Sequence, residues 1–412
     1  MLYFGNIDFF ENKIMELNKT KKIFILAGET SGDYIGSCIM NGLKQNHNDI
    51  KFFGVGGSLM ETEGLSSIYN INDFNIIGFL NTIVKIKKLK KYIDEIVKFI
   101  FKEKPDIVVT VDTKGFSYAL AKTLKTAFKN TEFKCPLIHF VPPTIWAYGK
   151  SRIKKWKNLH DELICLYKIE EKIFKYYDIK CTYLGNPIIE KFLNSEKKKN
   201  FKNADIFDPK KINCLLLPGS RISEINYIIP EYINLIKNSH NEIKNINWII
   251  PTTKSKYQSI VLKFNEIKNY PIKVIILENN YDILKHANVA IACSGTITLE
   301  LVLFKIPTIA VYKTDFLSSF IGRIMVNFKN VVLPNFLLGE CAVPFLFQEK
   351  CDHKQMQKLL NNYIKNLEAK KKLFKNYSKN ILQNMSYIDT KSTNFTYNSG
   401  KMISNLIDNY QK

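Results

Sequence analysis

Apolar and polar positions alternate in two rhythms along this chain. Short apolar runs recur: "KKIFILAG" (21–28), "IKFFGVGG" (50–57), "DIVVTVD" (106–112) and "CPLIHFVPPTIWAY" (135–148), the last cut short by its two prolines. Their length and β-branched content predict buried strands. Between them, "SCIMNGLKQ", "YALAKTLKTAFK" and the long "NIIGFLNTIVKIKKLKKYIDEIVKFIFKEKP" place apolar residues three and four apart, the spacing of a helix packed on one face. "ELICLY" and "CTYLGNP" add further short strands. Strands alternating with helices predict βαβ units on a parallel sheet.

The rhythm then breaks. Residues 194–211, "NSEKKKNFKNADIFDPKK", are rich in Lys and Asn and poor in apolar residues, which marks a linker. After it the pattern restarts. "INCLLLPGS", "INWIIPTT", "KVIILEN", "ANVAIACSG" and "IPTIAVYK" read as strands, "RISEINYIIPEYINLI" and "TITLELVLF" as helices. The expected fold class is therefore α/β, with two Rossmann-like parallel-sheet lobes facing a central cleft where a ligand binds. The expected boundaries are an extension over 1–21, a first lobe over 22–193, the linker, a second lobe over 212–375 and a basic helical segment over 376–412.

Composition narrows this only slightly. A chain of 412 residues exceeds one ordinary core, and 46% hydrophobic with 24% charged residues describes a globular protein. The formal charge of +22 attracts anions such as phosphorylated ligands, anionic lipid or nucleic acid. Part of the Lys, Asn and Ile content reflects genome bias, so only part of that charge counts as signal. Eight cysteines without a C-x-x-C or a disulfide pattern indicate a reducing, cytoplasmic location. No apolar run reaches the roughly 18–20 residues that cross a bilayer. "MLYFGNIDFFENKIMELNKTKK" holds acids and no small-residue cleavage site, so it reads as an extension and not a signal peptide.

Four strand-end loops carry the candidate chemistry. In "AGETSGDYIG", Glu29, Ser31 and Asp33 stand where a strand gives way to a helix, whose N-terminus favours anions. The same residues also read as a turn capped by Ser31 or Asp33. In "LLLPGSRISEI", Gly219 and Ser220 open a helix and Arg221 can clamp a phosphate, while Glu224 sits where it can simply pair with Arg221. In "ACSGTITLELVLF", Ser294, Gly295 and Thr296 offer N–H and hydroxyl groups. Glu300, one turn further on, can accept from a ribose or be an ordinary helix residue. In "VVLPNFLLGE", Asn335 follows what reads as a strand and, alone, is a turn residue. Finally, "VVTVDTKGF" ends a run of β-branched residues on Asp112, as turn chemistry or as a working base.

Other residues have plainer readings. His139 in its apolar strand reads as a satisfied core residue and Trp146 as packing. No His/Cys cluster has metal spacing, so no metal site is expected. The long basic helix carries Ile77, Phe79 and Leu80 before Lys85, Lys87 and Lys88. Its apolar content exceeds what one core face needs, which suggests a surface that enters a membrane interface as well as the alternative of a solvated helix.

Taken in order, "AGETSGD", "GVGGSLMETEG", "NIIGF", "PDIVVTVDTKGF", "VPPTIWAYGKSRIKK", "YLGNP", "LLLPGSRISEI", "CSGTITLE" and "LPNFLLGE" resemble the lipid-A-disaccharide synthase family of bacterial glycosyltransferases, from about Lys22 to about Gln348. The resemblance implies a GT-B fold with no metal or other cofactor. It implies transfer of 2,3-diacylglucosamine from UDP to 2,3-diacylglucosamine 1-phosphate (lipid X), with inversion, in lipid A and lipopolysaccharide biosynthesis. Asp112 falls on the family's general base. Gly219, Ser220, Arg221, Glu224, Ser294, Gly295, Thr296, Glu300 and Asn335 fall on donor-side motifs, and Glu29, Ser31 and Asp33 on the acceptor-side loop. The implied partners are the two lipid substrates and the anionic inner face of the cytoplasmic membrane, with the basic helix as a peripheral anchor. A homodimer is compatible with this reading, and nucleic acid is not expected.

The chain departs from the family pattern in three places. The family's D-A-P-D-F-N is D-T-K-G-F-S here, so the second acid is Gly115 and the Asn is Ser117. Lys114 brings a cation that favours ionised Asp112 if the two are close. The family's G-H-P is Gly185-Asn186-Pro187. Two rival readings stay open: a UDP-sugar epimerase on the same fold, and a non-catalytic basic GT-B protein that binds membrane or RNA.

Overall fold

The computed structural model describes residues 20–75, 83–143, 150–196, 206–242, 245–252, 254–276, 281–315, 331–385 and 394–410. The chain forms two compact units. One comprises Met1–Pro143, Ser151–Pro187 and Thr390–Lys412, the other Thr144–Lys150 and Ile188–Asp389.

The first unit is a seven-stranded sheet in the order β3-β2-β1-β4-β5-β6-β7. Its strands are β1 Lys21–Ala27, β2 Ile50–Gly56, β3 Leu65–Asn70, β4 Ile107–Val111, β5 Leu137–Phe140, β6 Glu162–Cys165 and β7 Cys181–Tyr183. Every pairing is parallel; Ile23 of β1 faces Phe52 of β2 on one side and Ile107 of β4 on the other. The helices used below are α1 Thr30–Lys44, α2 Ser58–Thr62, α3 Ile83–Glu103 and α4 Lys114–Phe128. All five residues of β4 are buried, as expected for a central strand covered on both faces. In α3, Leu89, Ile93, Ile96 and Ile100 follow helical spacing into a core shared with Phe24, Phe53, Phe116 and Leu120, while Lys87, Lys88, Lys90 and Lys91 stay exposed or nearly so. Each such buried side chain contributes about 1.5–3 kcal/mol.

The C-terminal helix, Phe395–Tyr410, belongs to this first unit and packs on α1. The two helices cross so closely that a Cβ on Gly400 would lie 2.1 Å from the Gly42 carbonyl oxygen, and one on Gly42 would lie 1.9 Å from that of Thr396. His47 Nε2 meets Ser404 Oγ at 2.7 Å, and Lys21 pairs with Asp408 at 3.7 Å along the same seam.

The second unit repeats the plan with six strands in the order β10-β9-β8-β11-β12-β13, again all parallel. They are β8 Ile212–Leu217, β9 Ile246–Thr252, β10 Ile272–Ile276, β11 Val289–Cys293, β12 Thr308–Tyr312 and β13 Phe345–Phe347. Its helices include α5 Ile222–Glu242, α6 Lys254–Phe264, α7 Thr296–Leu303, α8 Leu333–Leu338, α9 His353–Lys365 and α10 Leu367–Asn384. Tyr232 of α5 is fully buried, and its hydroxyl donates to the Ile291 carbonyl at 3.0 Å while lying 3.3 Å from that of Leu217. One side chain thus joins β8 and β11 from beneath.

Three expectations change. The unit boundaries fall elsewhere: the chain passes to the second unit after Pro187, before the polar 194–211 interval. The 376–412 segment is divided, since α10 stays with the second unit and the final helix joins the first. Pro334 does not follow a strand but opens helix α8, where its fixed φ suits the first turn and its missing N–H has no partner to lose.

Candidate active site

Both sheets reverse their strand order beside the first strand of each unit. In the first, the chain runs β1, β2, β3 to one edge and returns to place β4 on the other side of β1. In the second, it runs β8, β9, β10 and returns to place β11 beside β8. Consecutive connections therefore diverge at the carboxyl ends of β1/β4 and of β8/β11, leaving a crevice at each, which is where ligands bind in open α/β sheets. The four loops that leave these strands are the ones holding Glu29, Asp112, Arg221 and Ser294.

At the first crevice, β4 ends in two consecutive residues in the left-handed region, Asp112 with φ 53° and Thr113 with φ 47°. An aspartate tolerates this conformation, but a β-branched threonine does so only against steric cost. Surrounding contacts hold it. Asp112 N donates to the Phe140 carbonyl at 3.0 Å, Ser117 Oγ donates to the Asp112 carbonyl at 2.9 Å, and Ser117 N to that of Thr113 at 2.9 Å. Gly28 N donates to Thr113 Oγ1 at 3.0 Å, which ties the β1 loop to the β4 loop. Gly28 is required there, since a Cβ would come within 2.8 Å of Thr113 Oγ1 and 2.9 Å of Phe74 Cβ. Strain sustained by its neighbours is characteristic of functional positions. The Asp112 carboxylate is partly exposed and lies 3.7 Å from Lys114 Nζ, so the expected closeness of that cation is present. Gly115 faces open space, and Ser117, in the place of the family's Asn, is fully buried and supports Asp112 through its carbonyl.

The β1 loop divides its labour. Glu29 occupies the N-cap position of α1 without a side-chain cap, and Ser31 lies within the first turn. Neither Ser31 nor Asp33 caps α1. Asp33 is buried and its carboxylate accepts from Gly57 N at 2.8 Å, Leu59 N at 3.2 Å and Met60 N at 3.1 Å, so it caps α2 instead. Asn186, the departure from the family's histidine, is fully buried and donates to the Leu166 carbonyl at 3.4 Å.

At the second crevice, Gly219 has φ 108°, and a Cβ on it would meet Glu224 Oε2 at 2.4 Å, so no other residue fits. Glu224 is buried and its Oε2 accepts from Ser220 N at 3.0 Å and Arg221 N at 3.1 Å. Its Oε1 lies 3.4 Å from the Arg221 guanidinium, which is the pairing that the spacing allowed. Glu224 therefore shapes the loop from below. Lys256, in the first turn of α6, donates from Nζ to the Ser220 carbonyl oxygen. Across the crevice Ser294 N donates to the Val311 carbonyl at 2.8 Å, and Gly295, the N-cap of α7, faces open space. Glu300 follows on α7 and is partly exposed. Asn335 is buried and both ends of its amide are used within the loop: Nδ2 donates to the Val343 carbonyl at 2.8 Å and Oδ1 accepts from Val343 N at 2.8 Å.

Sequence reasoning did not single out Thr113 or Lys256. Thr113 could have been noticed as the residue that must follow Asp112 into a sharp turn. Lys256 gave no signal in a chain with 60 Lys and Arg. Ile77, Phe79, Leu80 and Trp146 lie outside the described residues, as does the side chain of Lys85; Lys87 and Lys88 are exposed on α3. His139 is buried with Nδ1 2.9 Å from Thr110 Oγ1, but its Nε2 has no hydrogen-bond partner, so it is core without being fully satisfied. His160, ring-stacked with Trp156 at 5.3 Å, has no partner on either nitrogen, and burial holds its pKa down to about 3. Among the described residues no three His, Cys, Asp or Glu side chains gather as a metal site, and no helix is long and apolar enough to cross a membrane.

Two parallel α/β units, each with its polar loops at the carboxyl switch point, define a GT-B-type fold. A Staphylococcus aureus MnaA–UDP co-structure shares the fold with a TM-score of 0.62 at 15% identity, covering 95% of this chain and 97% of that one. A glycosyltransferase from Rickettsia africae shares it with a TM-score of 0.51 at 13% identity, covering 95% and 99%. Residues 23–397 match the family model for lipid-A-disaccharide synthetase, and the chain belongs to that family. The lipid-A-disaccharide synthase of Rickettsia felis is 31% identical over 383 residues, covering 91% of this chain and 94% of its own. That of Blochmanniella pennsylvanica is 30% identical, covering 87% and 92%. The chain is thus an enzyme, a glycosyltransferase of lipid A biosynthesis.

Proposed function

We propose that this glycosyltransferase joins UDP-2,3-diacylglucosamine to 2,3-diacylglucosamine 1-phosphate, forming the β-1,6-linked disaccharide 1-phosphate and UDP. The observation that carries this reading is the position of Asp112: a partly exposed carboxylate at the β1/β4 switch point, fixed by a left-handed backbone that its neighbours sustain. Asp112 removes the proton from the acceptor's 6-hydroxyl as that oxygen attacks the anomeric carbon. The bond from that carbon to the β-phosphate oxygen breaks, its electron pair leaves with UDP, and configuration inverts. General-base assistance of this kind is worth about 10²–10⁴-fold in rate.

The second unit holds the donor. Arg221, the N–H groups of Gly295 and Thr296 and the hydroxyls of Ser220 and Ser294 neutralise the diphosphate at two helix starts, and Glu300 accepts from the ribose. Glu224 and Asn335 act through the loops they brace. Glu29 and Ser31 face the acceptor side, with Asp33 bracing the neighbouring turn. Both substrates carry acyl chains, so the enzyme works as a peripheral protein at an anionic membrane face, with the basic side of α3 toward the headgroups.

The test is UDP release. Release that requires both lipid substrates supports the reading. Turnover of UDP-GlcNAc alone, with no lipid, replaces it with epimerisation, and UDP binding without release in either assay leaves a non-catalytic protein.

A further inference from the structure

We propose that Lys256 is a binding residue for the donor's diphosphate, a cation held against the 218–221 loop until the anion arrives. The inference rests on the assignment of the β8/β11 crevice to the UDP-sugar and names a contact that the motifs do not contain.

Three observations carry it. The first is placement. Strand β9 pairs with β8, so the helix that follows β9 begins beside the loop that follows β8. Lys256 stands in the first turn of that helix, and its Nζ reaches over to the Ser220 carbonyl oxygen at the centre of the loop. The second is unused capacity. An ammonium has three N–H donors, and the Ser220 carbonyl takes one of them. Among the described residues no carboxylate lies within ion-pair distance of Lys256. Glu224 lies at the same loop, but it is engaged by Ser220 N, Arg221 N and the Arg221 guanidinium. The third is environment. Lys256 is partly withdrawn from water, and burial lowers its pKa while the Glu224 charge acts against that fall. A partly desolvated cation with two donors unused among the described residues, at a candidate diphosphate site, gains most from a phosphate oxygen, because desolvation already suffered strengthens the new contact.

The geometry also explains why lysine suits the position. It can keep the Ser220 carbonyl with one N–H and point the other two toward the crevice, so binding requires no departure from the loop. Arg221 supplies a flat fork at the same loop, and Lys256 a compact charge from its flank.

The experiment uses the full chain and isothermal titration with UDP and with uridine, for the parent, Lys256→Met and Lys256→Arg. Lys256→Met is expected to weaken UDP about 10- to 100-fold, the range for hydrogen bonds to a charged group. Uridine, which has no phosphate, should bind as it does to the parent. The UDP affinity of Lys256→Met should also fall less steeply with added salt, and Lys256→Arg should recover most of the loss. UDP affinity within about twofold of the parent overturns the proposal. So does equal weakening of UDP and uridine, which means that Lys256 only staples the loop. A parent that does not bind UDP at all removes the donor assignment itself, an outcome distinct from either.

Discussion

At the scale of single residues, the proposed chemistry rests on Asp112 and its neighbour Thr113. An aspartate ending a β-branched run was visible in the sequence as a candidate base. Its left-handed backbone was not, because φ there is imposed by contacts with Gly28, Phe140 and Ser117, which come from another loop, the neighbouring strand β5 and the first turn of α4. Polar residues at Asp33, Glu224 and Asn335 were equally visible, yet each spends its side chain on backbone groups within the protein. Sequence spacing marks a polar residue at a loop but does not tell whether it faces ligand or backbone. His160 gives a prediction at this scale. It is buried without a partner and its folded pKa, about 3, lies below the ordinary 6.5. The unfolded chain therefore takes up the proton first. Stability should be complete above pH 6.5 and should fall as pH drops toward 3, by about 2 kcal/mol from this group at pH 5. His139, whose pKa burial also depresses, acts in the same direction. Replacing His160 by Phe should shift the acid unfolding midpoint to lower pH in urea titrations. An unshifted midpoint would mean that the ring is solvated in the native state.

At the scale of elements, the long strands and amphipathic helices were legible because burial leaves a periodic mark. The edge strands β3, "LSSIYN", and β13, only three residues long, left none. The docking of the C-terminal helix on α1 was likewise hidden, since its signal is two glycines, Gly42 and Gly400, far apart in sequence. Only the fold shows that they touch. A side chain at Gly400 must push apart two backbones, with the nearest carbonyl oxygen 2.1 Å from its Cβ. Gly400→Leu is therefore expected to cost about 1–3 kcal/mol or more, read as a lower urea midpoint. Parental stability for that variant would show that the helix does not pack where the structure places it.

At the scale of the molecule, repetition of one α/β plan was the clearest message of the sequence. The boundaries were less clear, because the last helix returns to the first unit through contacts and not through composition. The charge of +22 bears on the proposed membrane contact. On α3, Lys87 and Lys90 have no carboxylate within ion-pair distance among the described residues, whereas Lys88 and Lys91 pair with Asp73 and Glu95 at 3.8 Å. Each free lysine near an anionic surface is worth about 1 kcal/mol. Lys87→Glu with Lys90→Glu should reduce binding to anionic vesicles at least about tenfold while UDP binding stays unchanged. Vesicle binding that survives both changes would place the membrane contact elsewhere. The proposed transfer needs the Asp112 carboxylate to activate the acceptor hydroxyl. Its most direct measurement is UDP release with both lipid substrates, comparing the parent with Asp112→Asn alongside UDP titration. Turnover lower by about 10²–10⁴-fold with UDP affinity unchanged is the expected result. Turnover close to the parent's in a folded Asp112→Asn variant would contradict it.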